Sequence, residues 1–254
     1  MSAYFESLNR RVQSPPAAIV PAPAVEVARF DVAAHAPRAV APRFAPGTVP
    51  ARYAMLRERI ALSTNGTALR TLLFVGCEGQ EGCSRITREF AETLASSGLS
   101  VLLVNADLRG TSPSPARERD TVDLGAAVEA RVPLAPRPWG RGTLAVVSRP
   151  SDSITCKETF LRSSGLRDWL RTQRSTFDYT LIDSPPVLRY ADGSLTSPAC
   201  DGVVLVARAG STPGEALAKA RAHLEQGGGR VLGVVLVRSD DSIPTFLKRY
   251  LTSA

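Results

Sequence analysis

No stretch of this sequence approaches the roughly 20 consecutive apolar residues that a membrane-spanning helix needs. Its start lacks the basic-then-apolar pattern of a signal peptide, so a cytoplasmic protein is expected. Aromatic residues are scarce, at 6% of the chain, which leaves the core to Ala, Val and Leu. The two histidines, His35 and His223, lie far apart, and Cys77, Cys83, Cys156 and Cys200 show no CxxC spacing. That scatter argues for reduced thiols and against both a disulfide framework and a metal centre built on His or Cys. Neither a zinc-finger pattern nor an aromatic-and-basic RNA-binding segment occurs, so no nucleic-acid partner is expected. The net charge of +7 comes largely from arginines spread along the chain, which reads as a solvated surface that favours acidic partners.

What is present divides the chain in two. Between residues 12 and 50 stand Pro15, Pro16, Pro21, Pro23, Pro37, Pro42, Pro46 and Pro50. Prolines at such irregular spacing forbid a helix and interrupt sheet pairing, so residues 1–50 read as a disordered, Pro/Ala-rich tail. Residues 1–11 place Tyr4, Phe5 and Leu8 on one side of a short helix, and two readings stay open: a tethered docking peptide or a frayed end. Residues 51–254 read as one domain. It opens with a helix at 52–62 that sets Tyr53, Leu56 and Ile60 on one face.

Short apolar runs follow at 71–75, 101–104, 143–147, 179–182, 203–207 and 231–237, most without alternation, as strands covered on both faces should be. Helical patterns lie between them at 85–97, 122–130, 164–174 and 213–226. This alternation predicts an α/β fold, a mostly parallel sheet with helices on both faces.

The domain is arranged around the stretch from Leu72 to Thr87, where an apolar run enters a glycine-bearing loop and then a helix. In a P-loop the successive backbone N–H groups and the helix N-terminus face phosphate; a Lys reaches the β/γ-phosphates and a Ser or Thr holds Mg²⁺. Gly79, Gln80, Glu81, Gly82, Cys83, Ser84 and Arg85 are the candidate nucleotide-binding set. Gly82 and Ser84 stand where glycine and hydroxyl belong, but Cys83 takes the place of the Lys. Two further strands end in polar residues, Asn105-Ala-Asp107 and Asp183-Ser-Pro-Pro186, at the carboxyl edge where open α/β sheets bind ligands. With Ser84, Asp183 is the candidate Mg²⁺ ligand.

These residues resemble the bacterial tyrosine kinases of capsule and exopolysaccharide synthesis, relatives of the MinD and ParA ATPases. Arg52-Tyr-Ala-Met-Leu-Arg57 is similar to the YRxLR-type helix that precedes their P-loop. Gly79-Gln-Glu-Gly-Cys-Ser84 aligns with PGEGKS, Val104-Asn-Ala-Asp-Leu-Arg109 with a DADLR motif, and Phe177-Asp-Tyr-Thr-Leu-Ile-Asp-Ser-Pro-Pro186 with FDYVIIDTPP. Cys200-Asp-Gly-Val-Val-Leu-Val-Ala-Arg208 meets a later aspartate, glycine and apolar-strand pattern. The resemblance implies a P-loop fold, ATP and Mg²⁺ as cofactors, Asp107 and Asp183 at catalytic positions, and a membrane polysaccharide co-polymerase, or chain-length protein, as partner. Homo-oligomers are also implied.

The departures fall on functional positions. Besides Cys83, the first acid of the second motif is Asn105 and the purine-contacting Asn becomes Val237. The E-x-x-R-x-x-R oligomerisation element reads Ala51, Ala54 and Arg57, and the C-terminal tyrosine cluster shrinks to Tyr250. The expectation is a pseudokinase, peripheral at the inner face of the membrane, in which Asp183 serves mainly to hold the loop and ATP and Mg²⁺ bind weakly. Two other readings are an active tyrosine autokinase and a MinD/ParA-like positioning protein. A thiol at a helix N-terminus suggests a reactive Cys83, against which stands a small filler for the missing Lys. At the C-terminus, Phe246, Leu247 and Tyr250 share an apolar face opposite Lys248 and Arg249, similar to the MinD membrane-targeting helix. It serves either membrane or partner contact, or packs onto the domain.

Overall fold

The computed structural model describes residues 27–32, 51–62, 69–109, 121–132, 134–149 and 157–239, with backbone alone at 27–32, 157–158 and 238–239. In chain order the elements are β1 (Val27–Val32), α1 (Ala51–Leu62), β2 (Thr71–Gly76), α2 (Cys83–Ser96), β3 (Ser100–Asn105), β4 (Val122–Asp123) and α3 (Leu124–Glu129). Then come β5 (Arg137–Trp139), β6 (Gly142–Ser148), α4 (Lys157–Arg162), α5 (Ser164–Gln173), β7 (Tyr179–Ser184), α6 (Asp192–Thr196), β8 (Gly202–Arg208), α7 (Gly214–Gln226) and β9 (Val231–Ser239). The strands form a nine-stranded sheet in the order β1-β9-β8-β2-β7-β3-β6-β4, parallel along that path, with β5 antiparallel to β6.

The six apolar runs become β2, β3, β6, β7, β8 and β9, and the central ones, β2, β7 and β8, are covered on both faces and mainly apolar. Within β2 the pleat sends Leu72 and Phe74 to one layer and Leu73 and Val75 to the other, all fully buried. The first layer holds Tyr53, Leu56 and Ile60 of α1 and Ile86, Phe90 and Leu94 of α2. On the opposite face, Leu124 of α3, Leu166, Trp169 and Leu170 of α5, and Ala220 and Leu224 of α7 close the core. Fully burying a Leu or Phe side chain is worth about 1.5–3 kcal/mol.

Three departures from the expected elements have local causes. The helix expected at 122–130 begins with a two-residue strand, after which Asp123 caps α3 by accepting from the Ala126 N–H at 3.1 Å. Strand β5, the hairpin partner of β6, carried no pattern because Arg137-Pro-Trp139 is short and holds a proline, which an edge strand tolerates. Within the stretch assigned to a tail without sheet pairing, Val27–Val32 pairs in parallel with Val234–Ser239. Those six residues lie inside the proline-free interval between Pro23 and Pro37. The N-terminal helix expected at 1–11 lies outside the described residues.

Candidate functional site

Strand β7 lies between β2 and β3, with Asp183 opposite Phe74 on one side and Asn105 on the other. The loop after β2, the turn after β3 and the end of β7 therefore share one edge. Ala106 N–H donates to the Asp183 carbonyl at 2.8 Å, tying the turn to that edge.

Three of the four residues at 79–82 take a left-handed conformation. Gly79 has φ 109°, Gln80 φ 68° and Gly82 φ 81°. Glycine makes this easy at 79 and 82, whereas Gln80 adopts the left-handed region at a cost of about 1 kcal/mol. Glu81 is buried, and its side chain turns back into the loop. Its Oε1 accepts from Glu78 N–H at 2.7 Å, and both carboxylate oxygens accept from Gly79 N–H, at 3.0 and 2.8 Å. The carboxylate passes so close to the end of β2 that a Cβ on Gly76 would stand 2.7 Å from Oε2. Two N–H groups of the loop are thus already satisfied by an internal anion.

Helix α2 starts at Cys83 without a side-chain cap at Gly82. The Cys83 thiol and the Ser84 hydroxyl both bond to the Asp183 carboxylate, and Thr87 Oγ1 donates to the Cys83 carbonyl at 2.9 Å. Burial first, then the charge of Asp183, pushes the Cys83 thiol well above its usual range. Cys83 is therefore a protonated filler with a weak donor, and the reactive-thiolate reading is set aside. Burial also pushes Asp183 up to about 7, opposed by the Ser84 and Cys83 bonds and reinforced by the charge of Asp107. Its Oδ1 is buried and has no hydrogen-bond partner among the described residues. Where the sequence suggested bonds from Asp183 to the loop backbone, the contacts run to two side chains of α2.

The structure brings Asp107 to this edge, buried, with its Oδ1 accepting from Arg109 N–H at 3.1 Å. Asn105 is used locally, its Oδ1 accepting from Asp107 N–H at 3.0 Å. Arg85 points elsewhere: its Nε donates to Glu89 Oε1 at 2.8 Å, a turn further along α2. Val237 is buried in β9, and Ala51, Ala54 and Arg57 lie on α1. The C-terminal set Phe246, Leu247, Lys248, Arg249 and Tyr250 lies outside the described residues.

Sequence reasoning missed three polar clusters of the domain, two near this edge and one at the opposite end of β2. Glu89, buried, accepts from Tyr53 OH at 2.7 Å as well as from Arg85, clamping α1 to α2. Asp192, also buried, takes Arg109 through Nη2 at 2.9 Å and Nε at 3.2 Å. Asp201 Oδ2 accepts from the N–H groups of Arg70 and Thr71, both at 2.9 Å, fixing the start of β2, while Oδ1 pairs with Arg174. The signal available beforehand was acidic residues inside otherwise apolar segments, which demand a partner when buried.

No family model matches the chain. Tyrosine-protein kinase CpsD of Streptococcus agalactiae is 28% identical over 202 residues, spanning 74% of this chain and 83% of the relative. The chain is a homologue of the bacterial tyrosine-protein kinases. Against these kinases the likeness extends to the fold: the kinase domain of the Escherichia coli tyrosine kinase ETK superposes with a TM-score of 0.71 at 19% identity, covering 87% of this chain and 93% of that one. Another relative, the succinoglycan biosynthesis transport protein ExoP of Rhizobium meliloti, is 28% identical over 184 residues, 69% of this chain and 23% of its own length. The septum site-determining protein MinD of Pyrococcus horikoshii, solved with Mg-ADP, matches with a TM-score of 0.52 at 17% identity over 72% of this chain and 76% of that one. The fold is that of MinD/ParA-like P-loop proteins.

The fold implies Mg²⁺ and ATP, and the residues fit them unequally. An orphaned carboxylate oxygen on Asp183 beside the Ser84 hydroxyl suits a hard cation that also draws ligands from phosphate and water. The phosphate side does not fit as folded. Cys83 supplies no charge, and Glu81 engages two of the N–H groups of the loop.

Proposed function

We propose that the chain is a kinase-like regulatory protein of exopolysaccharide or capsule biosynthesis and export, in which ATP-dependent phosphoryl transfer is weakened or lost. It acts by binding a membrane polysaccharide co-polymerase, at the inner face of the membrane. The polysaccharide setting draws support from the relatives named CpsD and ExoP, the second a succinoglycan biosynthesis transport protein. The observation that carries the loss of transfer is the loop itself: a buried carboxylate, Glu81, sits on its N–H groups, and no cation stands at position 83. Phosphoryl transfer depends almost wholly on positioning and on neutralising charge, so a loop with an anion inside it is poorly suited to the chemistry. In place of the charged oligomerisation element, α1 presents Met55 and Leu62, 60% and 76% exposed and seven residues apart, so on one helical face. Such a face suits a protein contact, either with the co-polymerase or between copies of the chain. The test is incubation of the purified protein with radiolabelled ATP and Mg²⁺. No phosphotyrosine and no phosphate release are expected; phosphotyrosine that disappears in Asp183→Ala would establish the active autokinase instead.

A further inference from the structure

The charges around the loop leave one arginine in an unusual position. Arg85 is engaged by Glu89, Arg88 by Glu92 and Arg109 by Asp192. Arg189, exposed in the connection between β7 and α6, has no carboxylate partner among the described residues. Its guanidinium nonetheless lies against the loop: a Cβ built on Gly79 would stand 4.0 Å from both Cζ and Nη1 of Arg189. The connection that carries it is fastened to the loop strand, because Val187 N–H donates to the Gly76 carbonyl and Leu188 N–H to the Cys77 carbonyl, each at 3.0 Å. Arg189 and Tyr190 N–H both donate to the Pro186 carbonyl, closing a tight turn. Pro186 itself packs on Gly79, its Cγ 3.3 Å from that same Cβ position. A backbone this constrained presents the arginine to Gly79 whether or not the side chain moves.

Gly79 is the residue whose N–H is shared by both oxygens of the Glu81 carboxylate. Across the edge, the buried Oδ1 of Asp183 has no hydrogen-bond partner among the described residues and is free for a cation. We propose that Arg189 is the phosphate-binding cation of this site, replacing the charge that Cys83 does not provide, and that a phosphate group binds by taking the Gly79 and Glu78 N–H groups over from Glu81. A guanidinium fork matches phosphate geometry and outbids the monoanionic carboxylate for a ligand of higher charge. The ligand class is a terminal phosphate carried by a nucleoside polyphosphate or by inorganic pyrophosphate. The inference rests on the proposed reading of the loop as a P-loop without its Lys, and it gives that site a role in sensing phosphate without transferring it.

Calorimetric titration of the full chain with Mg-ATP, Mg-ADP and Mg-pyrophosphate tests it, with circular dichroism to verify folding. Binding is expected for wild type; Arg189→Gln should weaken it by about ten- to a hundredfold, the loss of one charge-assisted contact. Arg189→Lys should recover part of that loss, and Glu81→Gln, which removes the competing charge, should strengthen binding. Pyrophosphate bound as well as ATP would mean that the phosphate alone is read; ATP bound without pyrophosphate would mean that the nucleoside contributes. Equal affinities for wild type and Arg189→Gln would overturn the assignment, as would absence of binding in both wild type and Glu81→Gln. Phosphotyrosine formation, measured separately, decides the kinase-like reading without bearing on this one.

Discussion

Two buried polar clusters flank helix α2, and they are built on different terms. At its back, Glu89 accepts from Tyr53 and Arg85, and Arg52 stands 3.8 Å away, so an acid and its donors balance inside the first core layer. At its front, Asp183 meets a thiol and a hydroxyl, faces the charge of Asp107 with Arg88 acting more weakly the other way, and keeps Oδ1 without a hydrogen-bond partner among the described residues. A satisfied buried carboxylate adds to stability; an unsatisfied one draws on it and marks a place where a ligand would bind. The same helix therefore carries a structural carboxylate and a functional one, and the two should respond to mutation with opposite sign.

Glu89→Ala should give the largest effect. It strands the buried Tyr53 hydroxyl and leaves the part-exposed Arg85 guanidinium without its carboxylate, a loss of about 1–3 kcal/mol. Urea unfolding measures it, and a loss below about 1 kcal/mol would show that the cluster is replaceable. Tyr53→Phe, which removes one donor only, should cost about 1 kcal/mol by the same assay.

Asp183→Asn should move stability the other way. The carboxyl is easier to protonate in the folded chain, up to about 7, than at its ordinary 3.8. A raised value means that the folded state binds the proton more tightly, so the contribution is fully present below about pH 4 and is lost as pH climbs through about 7. Asn cannot ionise, so the variant should equal or exceed wild type above pH 7 by a few kcal/mol, with a flatter profile between about pH 4 and 7. Melting temperatures across that range give the answer; parallel profiles for the two proteins would mean that Asp183 is ionised at no cost, with a counter-charge at hand.

Much of this contrast was legible beforehand and part was not. Apolar runs with little alternation specified β2, β3, β7 and β8, because strands covered on both faces are built mainly from apolar residues. The edge defeated that reasoning: β1 lies among prolines, and β5 is three residues with one proline. The positions of Cys83, Ser84, Asp107 and Asp183 could be read from the order of strand, loop and helix. What Glu81 does could not, since a side chain folding back onto Glu78 and Gly79 leaves no periodicity in the sequence. Arg189 was equally silent. Its importance comes from backbone bonds between the turn after β7 and the end of β2, segments separated by more than 100 positions in the chain.

Repair of the front cluster is the subtlest intervention, and it separates lost charge from lost geometry. Cys83→Lys with Asn105→Asp supplies the two side chains that the resemblance to the tyrosine kinases implies, beside Gly82, Ser84, Asp107 and Asp183. A Lys on phosphate offers a contact of about 1.5–3 kcal/mol, one to two decades of affinity. Here the ammonium enters between Asp183 and Glu81, both of which act on position 83, so it is paired before any ligand arrives. The double variant should therefore gain only about tenfold for Mg-ATP over wild type. Adding Glu81→Gln, which removes one counter-charge and leaves only a neutral, weaker acceptor on the N–H groups of Glu78 and Gly79, should release the rest. Val237 is buried and apolar and offers no hydrogen bond to a base, so ATP and GTP should bind alike in every variant. Calorimetry with both nucleotides checks these points together. A double variant that already binds at full strength would show that Glu81 leaves the loop at no cost. A triple variant that gains nothing would mean that the left-handed Gln80 has set a loop path that no phosphate can enter.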